Sequence, residues 1–211
     1  MYDFLLYCSY FILTINFILF GISYFRKKTV NAFFLIYLGF ATVLQIVMEI
    51  MYKLHIKNNV YLVNVFFVGQ MILLALFFKS ILSFSIQKKI TNYILLFNIL
   101  YFLCFFGLNF KYFFEFNLSI ITITSLSIIV IASMHLLNQL TSTKLYYHFT
   151  IGLLLYLFSS TVFYLTANIT NSWSNELQFL TWTINAGLLV VYYLFILYEW
   201  KVSFAQKTLK N

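Results

Sequence analysis

Residues 3–28 read DFLLYCSYFILTINFILFGISYFRKK. Between Asp3 and Arg26 there is no charged side chain, and the run is long enough for a helix to cross a hydrocarbon core of ~30 Å, which takes about 20 residues. The charge lies behind the run, at Arg26, Lys27 and Lys28. A secretory signal peptide carries its positive charge in front and ends on a small-residue cleavage site, and neither feature is present. The stretch therefore reads as a retained membrane anchor with its N-terminus outside.

The rest of the chain repeats this pattern. Counting the first span at about 3–25, six more apolar stretches follow at about 32–52, 60–78, 91–109, 117–137, 146–167 and 178–199, with short polar breaks and a tail at 200–211. Hydrophobic residues make up 63% of the 211 and charged residues 9%, against about 25% charged in soluble domains. So few charges cannot cover a soluble domain of this length, whereas lipid can solvate the apolar surface. The expected fold is all-α: a single polytopic membrane domain over 1–211, built of seven transmembrane helices. The fourth span is the weakest, short and flanked by aromatic sequence. Residues Ser80 to Gln87 read as a segment lying in the headgroup layer between basic anchors. Phe110, Tyr112, Phe113, Phe114 and Phe116 read as an interfacial aromatic belt around Lys111 and Glu115.

Orientation follows from Lys and Arg, which favour cytoplasmic loops. With the N-terminus outside, ten fall on the inner side (Arg26, Lys27, Lys28, Lys79, Lys88, Lys89, Lys144, Lys201, Lys207, Lys210) and three on the outer (Lys53, Lys57, Lys111). The topology is N-out/C-in, and the location is the plasma (inner) membrane as a multi-pass protein. The net charge of +8 is spread among these anchors and forms no basic face, so no nucleic-acid partner is expected. Membrane lipids are.

Ionisable groups within a span are functional candidates. Glu49 is the one acid clearly inside a run, and Gln45 lies one turn before it. Two readings stand. Glu49 pairs with Lys53 at the outer boundary, or Gln45 and Glu49 face an outward-opening pocket with Asn64, Thr181 and Asn185. Those five residues are the candidate ligand site. The Ser and Thr residues of the fifth and sixth spans read as close-packing positions. Asn16, Gln70 and Asn98 are deep enough to point inward.

The absence of proline, with six single glycines, predicts continuous helices and weakens a transporter reading, since broken helices mark many transporters. Cys8 and Cys104 read as small buried side chains, with a disulfide left open. His135 and His148 flank an inner turn and read as solvated interfacial residues. No acid on that side of their helices supplies a third ligand, so no metal site and no cofactor are expected. No catalytic motif is found, and no catalytic residue is assigned. Glu199 reads with the basic tail, as a cytoplasmic continuation of the last span.

Seven spans, N-out/C-in topology and a basic tail from Lys201 together resemble the small bacterial seven-transmembrane sensor and receptor-like modules, found as input regions of sensor histidine kinases and as short stand-alone proteins. The resemblance implies sensing or scaffolding and transfers no site residue. No output domain follows the last span, so a protein partner is expected to carry any signal. A microbial rhodopsin needs a Schiff-base lysine in its last helix, and Leu177 to Trp200 has none. The lysoplasmalogenase-like hydrolases need intramembrane acids, for which only Glu49 offers itself. The functional expectation is a non-enzymatic receptor-like sensor or accessory subunit. The alternatives are a small-solute or ion transporter or channel, and an intramembrane lipid-modifying enzyme.

Overall fold

The computed structural model describes residues 1–27, 30–55, 60–140, 144–169 and 175–205, with backbone alone at 27, 166–169 and 175–178. Within them run seven α-helices: α1 Tyr2–Lys27, α2 Ala32–Lys53, α3 Val60–Ile81, α4 Ser85–Leu108, α5 Leu118–Asn138, α6 Tyr147–Ile169 and α7 Asn175–Glu199. A short 3₁₀ turn, Phe110–Phe114, follows α4, and a π-helical turn, Trp200–Ala205, extends α7. All seven helices are long and apolar enough to cross a membrane, so the chain is a multi-pass membrane protein in contact with lipid. Lys28, Lys57, Lys207 and Lys210 lie outside the described residues, as do the side chains of Lys27 and Glu176.

Two boundaries differ from the sequence reading. Helix α3 continues to Ile81 and α4 starts at Ser85, leaving only 82–84 outside a helix. The headgroup segment expected over Ser80 to Gln87 is therefore two helix ends and a tight joint, and the fourth span is a full 24 residues. Leu82 in the joint is buried, and its N–H donates to the Phe78 carbonyl at 2.8 Å, continuing the winding of α3.

The contacts group into two compact units, Met1–Asn31 with Gln139–Asn211, and Ala32–Asn138. The first holds α1, α6 and α7. Leu13 and Phe20 of α1, Phe149, Leu153 and Leu157 of α6, and Tyr192, Tyr193 and Ile196 of α7 form its core. Asn16 reaches across from α1 and donates to the Tyr193 carbonyl at 2.9 Å. Gly152 lets α6 meet α7 closely, because a Cβ there would sit 2.4 Å from Phe195 Cβ.

The second unit holds α2 to α5. Phe34 and Leu38 of α2, Met71, Leu74 and Phe77 of α3, and Ile120, Ile121 and Ile131 of α5 are buried together. Helix α4 buries only the stripe Thr91, Leu95, Asn98 and Phe102. Polar clasps hold it on α5, among them the Tyr101 hydroxyl donating to Ser119 Oγ at 3.2 Å. Gln87 and Asn138 exchange amide hydrogen bonds at 3.0 and 2.7 Å, and Asn98 donates to Ser127 Oγ at 2.9 Å. Between lipid-covered helices the hydrophobic effect is weak, so such bonds and tight packing carry the association, at about 0.6 kcal/mol per bond. The outward faces are apolar, as with Tyr93, Phe97, Leu100 and Leu103 of α4. In water such surface would aggregate; in lipid it is solvated.

Candidate functional site

The five candidate residues fall in both units. Gln45, Glu49 and Asn64 belong to the second, and Thr181 and Asn185 to the first. Each set is described within its own unit.

In the second unit Glu49 Oε1 meets Lys53 Nζ at 3.2 Å, one turn along α2. Gln45 is buried one turn earlier. Asn64 is buried and donates from Nδ2 to the carbonyls of Phe113 and Glu115, each at 2.9 Å. Those carbonyls lie at the end of the 3₁₀ turn, so Asn64 ties the aromatic segment to α3. Tyr61 packs on Phe113 and Phe114 beside it. These contacts give Glu49 and Asn64 anchoring work at a helix end.

In the first unit Thr181 and Asn185 line a cleft between α6 and α7 together with Phe163, Tyr164 and Trp182. The space of about 10 Å³ holds roughly one water molecule. Asn185 Nδ2 approaches Tyr164 Oη at 3.5 Å, a long contact. Its Oδ1 is buried and has no hydrogen-bond partner among the described residues. A buried amide oxygen without a donor costs free energy, on the order of 1–3 kcal/mol. The lining of the cleft is almost wholly apolar, so a guest reaches the Oδ1 acceptor only if a lining side chain moves.

At the other end of the same two helices lies a cluster that the sequence reading missed. Glu199, read there as part of a cytoplasmic continuation of the last span, has a fully buried side chain. Its Oε1 accepts the backbone N–H of Tyr146 at 2.7 Å, and its Oε2 accepts the backbone N–H of His148 at 2.9 Å. The first N–H groups of any helix lack intrahelical partners and form the positive end of its dipole. Glu199 of α7 thus caps α6 from outside, through charge-assisted bonds. The Ser203 hydroxyl donates to Oε1 as well, and His148 Nδ1 lies 3.2 Å from Oε2.

The π turn assembles the rest. Its wider winding accompanies inward contacts from Trp200 Nε1, the Ser203 hydroxyl and the Phe204 ring. Trp200 Nε1 donates to Ser23 Oγ of α1 at 2.9 Å. Phe204 is buried, its ring centroid 5.4 Å from that of Phe20 and 5.5 Å from that of Tyr146. Tyr146 itself adopts a φ of 58°, a left-handed conformation that costs a non-glycine residue roughly 1–2 kcal/mol. That conformation accompanies a backbone N–H on Glu199 and a hydroxyl that accepts the Asn31 N–H at 2.8 Å. Burial pushes the Tyr146 hydroxyl well above the ordinary tyrosine value; the Asn31 bond opposes the rise and the Glu199 charge adds to it.

The expectation of two solvated histidines is corrected. His135 is buried, with its ring against Phe78 at 5.5 Å, because its α5 face packs inside the second unit. His148 is partly exposed but finds an acid on a different helix, Glu199, which spacing along α6 cannot reveal. One sequence signal pointed to Glu199: under the N-out/C-in orientation it is the single acid on the side carrying ten basic residues. Cys8 and Cys104 are both free thiols, and the expectation that both are buried is corrected: Cys8 is half-buried and Cys104 is exposed on the outward face of α4. Among the described residues, no three His, Cys, Asp or Glu side chains gather closely enough to hold a metal ion. The Glu199 carboxylate is surrounded by donors, so this cluster can hold α6, α7 and the π turn in register. Compared with protein-family models, curated proteins and solved structures, the chain finds no match, so its own geometry carries the functional reading.

Proposed function

We propose that this protein is a receptor-like sensor or accessory subunit of the plasma membrane, oriented N-out/C-in and acting through a partner chain. The observation that carries the reading is the α6–α7 pair. The Tyr164–Asn185 cleft lies at one end of it and the Glu199 clamp at the other. Asn185 and Glu199 are 14 residues apart on one continuous helix, about 21 Å at 1.5 Å per residue. A guest that donates to Asn185 and shifts Tyr164 or Trp182 would change the packing of the two helices, and the clamp sits where that change reaches the tail. The ten-to-three division of basic residues supports a cytoplasmic tail.

The test is quantitative copurification from native membranes in mild detergent, with the intact chain and with E199Q. The receptor-like reading expects one protein retained in near-stoichiometric yield, and less of it with E199Q at equal folded protein. Flux of ions or small solutes into proteoliposomes, with no retained partner, would favour the transporter alternative instead. That alternative has its own support in the buried Oδ1 atoms of Asn16 and Asn185, which find no hydrogen-bond partner among the described residues and would suit a hydrated path.

A further inference from the structure

We propose that the outward face of α7 at its C-terminal end is a binding site for an anionic glycerophospholipid. A groove of about 320 Å³ is lined there by Leu194, Leu197, Tyr198, Trp200 and Lys201. Leu194, Leu197, Tyr198 and Lys201 follow the i, i+3, i+4, i+7 pattern of one helix face. The groove's apolar lining suits an acyl chain, and Lys201, which borders it, is exposed to the surroundings.

The membrane boundary falls at the right height. The apolar helical segment Phe179–Ala205 is 27 residues long, about 40 Å, against a hydrocarbon core of ~30 Å. Its surplus stands in the headgroup layer, where Trp and Tyr rings gather and Lys reaches for phosphate. Trp200 and Tyr198 are held in place from behind, the first by Ser23 at 2.9 Å and the second by the edge-on ring of His148 at 4.7 Å. The groove is therefore preformed rather than shaped by its guest.

Charge supplies the headgroup preference. Lys201 is exposed and makes no ion pair among the described residues. The neighbouring acid, Glu199, is buried and committed to Tyr146, His148 and Ser203. A lysine at a membrane surface favours anionic lipid by roughly 1 kcal/mol, a preference of about fivefold. A zwitterionic lipid, whose own ammonium group competes with Lys201, lacks that advantage.

The experiment uses the full chain with Trp200 as its sole tryptophan (W173F and W182F), reconstituted in phosphatidylcholine vesicles. Either dibrominated phosphatidylglycerol or dibrominated phosphatidylcholine is titrated in, and quenching of Trp200 is read. The expected result is half-maximal quenching at about a fivefold lower mole fraction of the anionic lipid. K201Q should abolish that difference, and K111Q, in the turn after α4, should leave it intact. Equal quenching by the two lipids overturns the proposal. So does a preference that survives K201Q, which would show general surface charge at work. Trp200 unquenched by either lipid overturns it too, since the groove would then be covered by protein. An unchanged emission maximum and elution profile in phosphatidylcholine show that each variant is folded.

Discussion

The carboxylate of Glu199 accepts the backbone N–H of Tyr146 at 2.7 Å, across 53 residues of chain. Through that bond and its companion from His148, the last turn of α7 supplies what the first turn of α6 cannot supply for itself. Any change at either helix end is therefore felt at the other.

Replacing Glu199 by Gln keeps the volume but puts a donor where one backbone N–H needs an acceptor. A buried donor left unpaired costs on the order of 1–3 kcal/mol. E199Q should lower the thermal midpoint in detergent accordingly, and S203A, which removes one hydroxyl bond, should cost about 1 kcal/mol. Because both act on one cluster, the double variant should lose less than the two singles added together. Fluorescence-detected size exclusion after a heating series reads all three, and an unchanged midpoint for E199Q would overturn the clamp.

Tyr146 gives an alkaline signature. Its hydroxyl is held above the ordinary value of 10.0, mainly by burial. The folded state then binds a proton that the unfolded state releases first, so this contribution is intact below pH 10 and is lost as pH rises beyond it. Midpoints measured at pH 8, 9.5 and 11 should fall between the last two, and the fall should be smaller in Y146F. At pH 8, Y146F should itself lose about 1 kcal/mol, because the Asn31 N–H is left without its acceptor.

Gly69, Gly107, Gly152 and Gly187 should divide sharply. A Cβ at Gly152 meets Phe195 at 2.4 Å, and one at Gly69 meets the Phe40 ring at 2.2 Å. G152A must separate two packed helices at a backbone-proximal atom and should cost about 1–3 kcal/mol. G69A presses on a ring tip that can turn, and should cost less. G187A, with its nearest neighbour at 4.0 Å, and G107A, with none in reach, should be near neutral in the same assay.

The Gln87–Asn138 pair should behave as a clasp for α4. A double-mutant cycle with Q87L and N138L should return a coupling of about 0.6 kcal/mol, with roughly 1.7 as the ceiling for such bonds in membranes. A coupling of zero would mean that this pair adds nothing to the hold of α5 on α4.

Orientation can be read in intact cells. In a C8S/C104S background, K53C at the end of α2 should react with a membrane-impermeant thiol reagent. K89C, near the start of α4, should react only after permeabilisation. The reverse pattern would invert the proposed topology.

The apolar runs, their lengths and their number were legible from the chain alone, because each helix in lipid must satisfy its own backbone and so declares itself as about 20 consecutive apolar residues. Boundaries were read less well where polar residues sit within helix ends, as between Lys79 and Lys89, whose polarity reads as a long break although only 82–84 lie outside a helix. The pairing of Glu49 with Lys53 was one of two sequence readings because i, i+4 spacing is local. The Glu199 cluster was not legible, since Ser23, Asn31, Tyr146, His148 and Glu199 lie far apart in sequence and meet only when α1, α6 and α7 pack. Hydropathy places a residue at a depth in the membrane. Which side chains share that depth on facing helices is decided by the rotation and register of each helix, and those are set by close packing at positions such as Gly152 and by bonds such as Asn16 to Tyr193.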